Sequence, residues 1–163
     1  MTADMTMGFA AAAQHHPQVF ATYAAYVDEV WSSDALPQGT LELCRIRIAR
    51  LLGAAREEAI RLGPEVAGLE DKLEVLATYP RDPRFTAADR ACLAFAEQFL
   101  LDTQALDEAT ADAVRAEVGD AGLVTLSLGV GLAEAMVRTA VVLGERPDAV
   151  RFASLIERGT SGG

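Results

Sequence analysis

An all-α bundle of about six to seven helices is the fold class that this chain predicts, and three observations predict it. Apolar residues recur at helical spacing through most of the chain, and no stretch alternates as a strand would. Hydrophobic residues make up 51% of the sequence but aromatics only 6%, so the core must be mainly Ala, Leu and Val, which suit closely packed helices. Prolines, glycines and capping residues divide the apolar stretches at helix-length intervals. At 163 residues, one domain spanning 1–163 is expected, with loose ends at 1–8 and 159–163.

Pro17 can open the first helix, in which Val19, Phe20, Tyr23, Val27, Val30 and Trp31 recur at helical spacing until Ser32-Ser33-Asp34 ends it. Leu36 to Gly39 reads as a turn, and Thr40 as the N-cap of a central helix running to Gly63-Pro64. On that helix Leu41, Cys44, Ile48, Leu51 and Leu52 form one broad apolar face, and Gly53 permits close backbone approach. A shorter helix is expected over 65–79. Tyr79 to Phe85 holds two prolines and reads as a loop that borders a pocket mouth. Thr86 caps the next helix, with Asp89 placed for a capping box. Helices at Asp107–Val118 and Asp120–Leu143 follow, then a terminal helix at Pro147–Arg158. Gly122, Gly129 and Gly131 inside the last long helix each cost about 1 kcal/mol against alanine, so a close helix neighbour is expected there.

A formal net charge of −10 argues against nucleic-acid partners and against anionic membrane surfaces. The apolar run Ala121–Ala133 is shorter than the ~20 residues a bilayer span needs, so no membrane partner is expected. The N-terminus has no basic region of the signal-peptide type. Cys44 and Cys92 form no Cys-x-x-Cys or zinc pattern and read as small buried hydrophobes of a reduced, cytoplasmic protein. With no Glu-x-x-His pair, phosphate loop or Gly-x-Gly-x-x-Gly turn, neither metal nor cofactor is expected.

The segment Leu-x-Leu-Cys-Arg-Ile-Arg-Ile-Ala-x-Leu-x-Gly from Leu41, together with Phe85-Thr86 through Glu97, resembles the carboxymuconolactone decarboxylase and alkylhydroperoxidase-D-like superfamily over about residues 17–144. That core usually carries Glu-Leu-Val-Arg-Leu-Arg-Val-Ala followed by Gly-Cys-x-x-Cys-x-x-x-His. Glu42 matches the glutamate, while Ala54, Glu57 and Arg61 stand where the two cysteines and the histidine fall. The resemblance implies an all-α fold that associates into dimers, trimers or hexamers. It also implies a cofactor-independent enzyme, of lyase, isomerase or cyclase type, acting on a small organic substrate that can carry a carboxylate or carbonyl group.

Without the cysteine pair, thiol hydroperoxidase chemistry lacks both its attacking and its resolving sulfur. Acid-base chemistry takes its place. Glu57 is the candidate proton-transfer group, Glu42 its catalytic support, and Arg61 the group that holds a substrate anion. Glu57 and Arg61, four residues apart, would share one helix face, and Glu42 is roughly in phase with them. His16, before the first helix, matches a His-Pro pair of the family and is a substrate-binding candidate or simply a helix-opening residue. The other reading of the same residues is structural: an i,i+4 pair at Glu57 and Arg61, and a Glu42 paired with Arg45 or with a partner subunit. On that reading the chain is a non-catalytic oligomeric binding or scaffold protein.

Overall fold

The computed structural model describes residues 14–37, 39–62, 65–102, 104 and 106–142. The expected terminal helix and both loose ends lie outside the described residues. Six α-helices run through the described ones: α1 Pro17–Trp31, α2 Thr40–Leu51, α3 Ala55–Ala59, α4 Leu69–Glu74, α5 Ala87–Leu101 and α6 Glu108–Val142, with a 3-10 turn at Leu76–Thr78. No strand occurs among them, and the all-α bundle is the fold.

The helix α2 is the centre of the bundle. It packs on α3, α5 and α6, and α5 and α6 pack on each other. Its burial is not confined to one face, because every residue from Thr40 to Ile46 is buried, as are Ile48 and Ala49. Leu43, Cys44, Ile46, Leu93, Phe95, Leu126 and Val130 belong to one continuous core around it. A helix sealed this way leaves no solvent for Glu42 and Arg45, which must find partners inside the protein.

Three boundaries differ from the sequence reading, the first being the helix expected over 65–79, which is confined to Leu69–Glu74 before the 3-10 turn. The central helix does not continue to residue 63; it stops at Leu51, and Gly53 adopts φ +69°. The Gly53 amide bonds to the Arg50 carbonyl at 3.1 Å and the Ala54 amide to the Ala49 carbonyl at 2.8 Å, the paired bonds of a Schellman stop. The chain resumes as the one-turn α3, and Ile60 is already extended at ψ 150°. Thr40 is not the N-cap either. Gly39 holds that place at φ +84°, and the Thr40 hydroxyl donates to Asp89 Oδ1 at 2.9 Å. By contrast, the Thr86–Asp89 capping box at the head of α5 is formed in both directions.

The two expected late helices are the two parts of α6, which breaks where the sequence reading divides them, at Gly119, whose φ of 73° and ψ of −178° are non-helical. By length and composition alone α6 is apolar enough to cross a membrane. Its Leu126, Val130, Ala133 and Met136 lie in the bundle core. Its glycines are not equivalent. A Cβ on Gly122 would sit 2.5 Å from Val118 Cγ2 and 2.8 Å from the Ala35 carbonyl oxygen. A Cβ on Gly129 would collide with the Leu41 side chain, whereas on Gly131 it would meet only Phe99 at 3.8 Å. Gly122→Ala is therefore expected to cost about 1–3 kcal/mol through overpacking, and Gly131→Ala to gain up to about 1 kcal/mol of helix propensity. Denaturant midpoints of the two variants check this; equal stability at position 122 would contradict the close approach.

Candidate functional site

The site begins where α1 ends. Ser32 and Ser33 close α1 with amides bonded to the Asp28 and Val30 carbonyls, and the chain turns back toward α2. The Ala35 amide bonds to Ser33 Oγ at 3.3 Å, and Ser33 Oγ lies 3.4 Å from Thr125 Oγ1 of α6. The missing side chain of Gly122 lets the Ala35 carbonyl rest on α6 beside it. This connector brings Trp31 over the first turn of α2, where its indole Nε1 donates to Glu42 Oε2 at 3.1 Å.

Glu42 is 4% exposed and Arg45 2%. Arg45 Nε donates to Glu42 Oε2 at 3.0 Å and Nη2 to Oε1 at 2.6 Å, a two-pronged ion pair within one turn of helix. The Leu62 amide adds a bond to Oε1 at 3.2 Å. With Trp31, four N–H donors converge on the Glu42 carboxylate, which has about four lone-pair sites to offer. The outer edge of the Arg45 guanidinium is bonded too: Nη1 to the Glu57 carbonyl at 2.7 Å and Nη2 to the Ile60 carbonyl at 2.5 Å.

In front of Glu42 lies a cavity of about 440 Å³. Val30, Leu36, Leu41 and Val66 supply its apolar wall; Trp31, Glu42 and Thr125 supply its deeper polar surface. Ser32, Asp34 and Pro37 line it and are exposed, so they form the rim. The loop Tyr79 to Phe85 is not part of this lining.

The four residues singled out from sequence are not brought together. Glu42 lines the cavity. Glu57 is buried at 6% exposure, and its backbone carbonyl accepts from Arg45 of the Glu42–Arg45 cluster. Its charge lies near Tyr23, whose phenol is pushed up to about 12, first by burial and then by Glu57. Arg61 corrects the expectation of a shared helix face, because α3 ends at Ala59 and position 61 follows in extended chain. Its side chain is 36% exposed and bonds Glu70 through Nε at 2.9 Å and Nη2 at 3.1 Å. That pairing raises the Arg61 guanidinium and lowers the Glu70 carboxyl. His16 is the exposed N-cap of α1, and its side chain makes no capping bond. The sequence reading missed Trp31 and Thr125, whose part depends on a connector fold that no local pattern encodes.

Cys44 and Cys92 are free and fully buried. Burial pushes the Cys92 thiol up to about 12 and the Cys44 thiol well above its ordinary range, so neither holds the thiolate that peroxide chemistry needs. Among the described residues no group of three His, Cys, Asp or Glu is placed to hold a metal ion. No family model and no curated protein matches this sequence.

A second buried carboxylate, Asp89, binds the heads of two helices. It accepts from Thr40, from Lys72 Nζ at 2.6 Å and from the Thr86 amide at 3.0 Å. Burial raises its carboxyl, but the Lys72, Thr86 and Thr40 bonds outweigh burial and hold it below the usual range.

Two predictions follow from these clusters. Glu42→Gln leaves Arg45 buried without its counter-charge, which typically costs about 3–5 kcal/mol, while Glu42→Leu combined with Arg45→Met should cost much less than the two single changes summed. A double-mutant cycle in urea measures both. A carboxyl depressed by folding stabilises above its unfolded pKa of about 3.9 and loses that contribution as pH falls through the folded value. Acidification below about pH 4 should therefore destabilise the native chain more than Asp89→Asn, as urea midpoints over that interval would show.

Proposed function

We propose that this chain is a small-molecule-binding protein of the alkylhydroperoxidase-D-like, carboxymuconolactone decarboxylase type, whose former reactive region has become structural. The observation that carries the reading is the state of Glu42. It forms the buried polar wall of the cavity, yet four N–H donors already occupy its oxygens. A general base needs a lone pair within reach of the substrate proton. Glu42 has none to spare, so it shapes the cavity and sets its charge. Arg61, turned to Glu70, holds no anion there. Self-association, which the resemblance implies, is supported by Val124 and Leu128, 59% and 47% exposed on α6. A cytoplasmic setting fits the two free, buried cysteines.

One observation favours the catalytic reading: Glu57 is buried and electrostatically coupled to the Tyr23 phenol, an arrangement able to move a proton. Cofactor-independent lyase or isomerase chemistry would then run through Glu57, not Glu42.

Trp31 is the chain's one tryptophan and lines the cavity, so its emission reports occupancy. Screening small molecules with an apolar body should give saturable emission changes. Filling the cavity with Thr125→Phe, or independently with Val66→Phe, should abolish them while the thermal midpoint stays near that of the native chain. Emission changes that survive both variants would overturn the binding reading. Turnover of a bound compound, lost in Glu57→Gln with binding retained, would establish the catalytic one.

A further inference from the structure

We infer that the cavity between α1, the 32–39 connector and α2 takes an organic cation with a compact apolar body, rather than the carboxylated molecule that the resemblance implies. This inference rests on the binding reading above. Among the described residues, the charges in the lining are carboxylates, Glu42 and Asp34, with no lysine, arginine or histidine beside them. Glu42 is matched by Arg45, buried behind it and outside the lining. Asp34, on the exposed rim, has no cation facing it across the lining among the described residues.

The uncharged groups point the same way. Ser32 Oγ donates to the Glu29 carbonyl at 3.2 Å, and the Ser33 and Thr125 hydroxyls bond each other at 3.4 Å. Ser32 is thus engaged and one of the two hydroxyl protons of Ser33 and Thr125 is spent, so a carboxylate entering the cavity would meet like charge with a single neutral hydroxyl proton from these side chains to set against it. The Trp31 N–H is committed to Glu42, which leaves the ring's carbon surface to the cavity. An aromatic surface beside a carboxylate, above an apolar wall of Val30, Leu36 and Leu41, suits an ammonium group carried on a hydrocarbon. The negative protein, at a net charge of −10, draws cations toward that mouth and repels anions.

Three molecules of one shape test the inference: cyclohexylmethylamine, cyclohexylmethanol and cyclohexanecarboxylate, titrated on the full chain at neutral pH with Trp31 emission as readout. None of them absorbs with tryptophan. The amine should bind at least about tenfold more tightly than the alcohol, and the carboxylate more weakly than either. Asp34→Asn should bring the amine to within about twofold of the alcohol and leave the alcohol unchanged. Saturable binding with no preference, with the carboxylate tightest, or with the preference intact in Asp34→Asn would overturn the charge selection and leave the binding reading standing. If none of the three changes Trp31 emission or the thermal midpoint, both fall.

Discussion

The ion pair of Glu42 and Arg45 is the constraint on which the rest of the molecule depends. Removing two charges from water costs several kcal/mol per ion, and mutual attraction repays it only when the remaining hydrogen-bonding groups are met as well. Glu42 is met by the Trp31 indole and the Leu62 amide. The guanidinium is met by the carbonyls of Glu57 and Ile60. Each partner dictates a piece of backbone. Residues 57 and 60 reach Arg45 only because α2 halts at Gly53 and α3 gives way to extended chain at Ile60. The indole reaches Glu42 only because α1 ends at Trp31 and the connector folds back across α6.

Two more arginines on α2 extend the same logic. Arg47 Nε bonds Glu97 of α5 at 2.6 Å, and the Tyr79 hydroxyl bonds the other oxygen of that carboxylate at 3.0 Å. Arg50 bonds Glu58 of α3 at 2.9 Å and the Leu73 carbonyl of α4 at 2.7 Å. The guanidinium is suited to this work because its planar fork stays charged and satisfies several acceptors at once. Thus the arginines of one helix tie together four neighbouring segments, in a protein with few aromatic side chains to fill its core.

Much of the fold was legible in the sequence. Pro17, the Thr86–Asp89 box and the helical spacing of α1 and α5 are local signals, and the structure follows them. The break at Gly53 was less so, since a glycine followed by two alanines is equally compatible with close helix packing. What decides it is the set of carbonyls that Arg45 requires, a tertiary demand invisible in the local pattern. The site divides in the same way. The pairing of Glu42 with Arg45 is readable from their i,i+3 spacing. The face shared by Glu57 and Arg61 assumed an unbroken helix and disappeared with it. The cavity itself joins α1, α2, Val66 and Thr125, residues too distant in sequence for any short motif to connect.

Asp89 carries a mechanical consequence. Its carboxylate lies between the positive dipole ends of two helices, at the first residue of α2 and the third of α5, and is favourably placed for both. The two axes are thereby pinned at their origins, and the Arg47–Glu97 bond pins them a second time farther along. A pair of rods fastened at two points can neither slide nor swivel. Across the cavity, α1 and the connector rest on the bundle through buried Val27, Val30 and Leu36, with the indole hydrogen bond and the hydroxyl contact setting their register, so a guest meets on that side a wall made mostly of apolar packing.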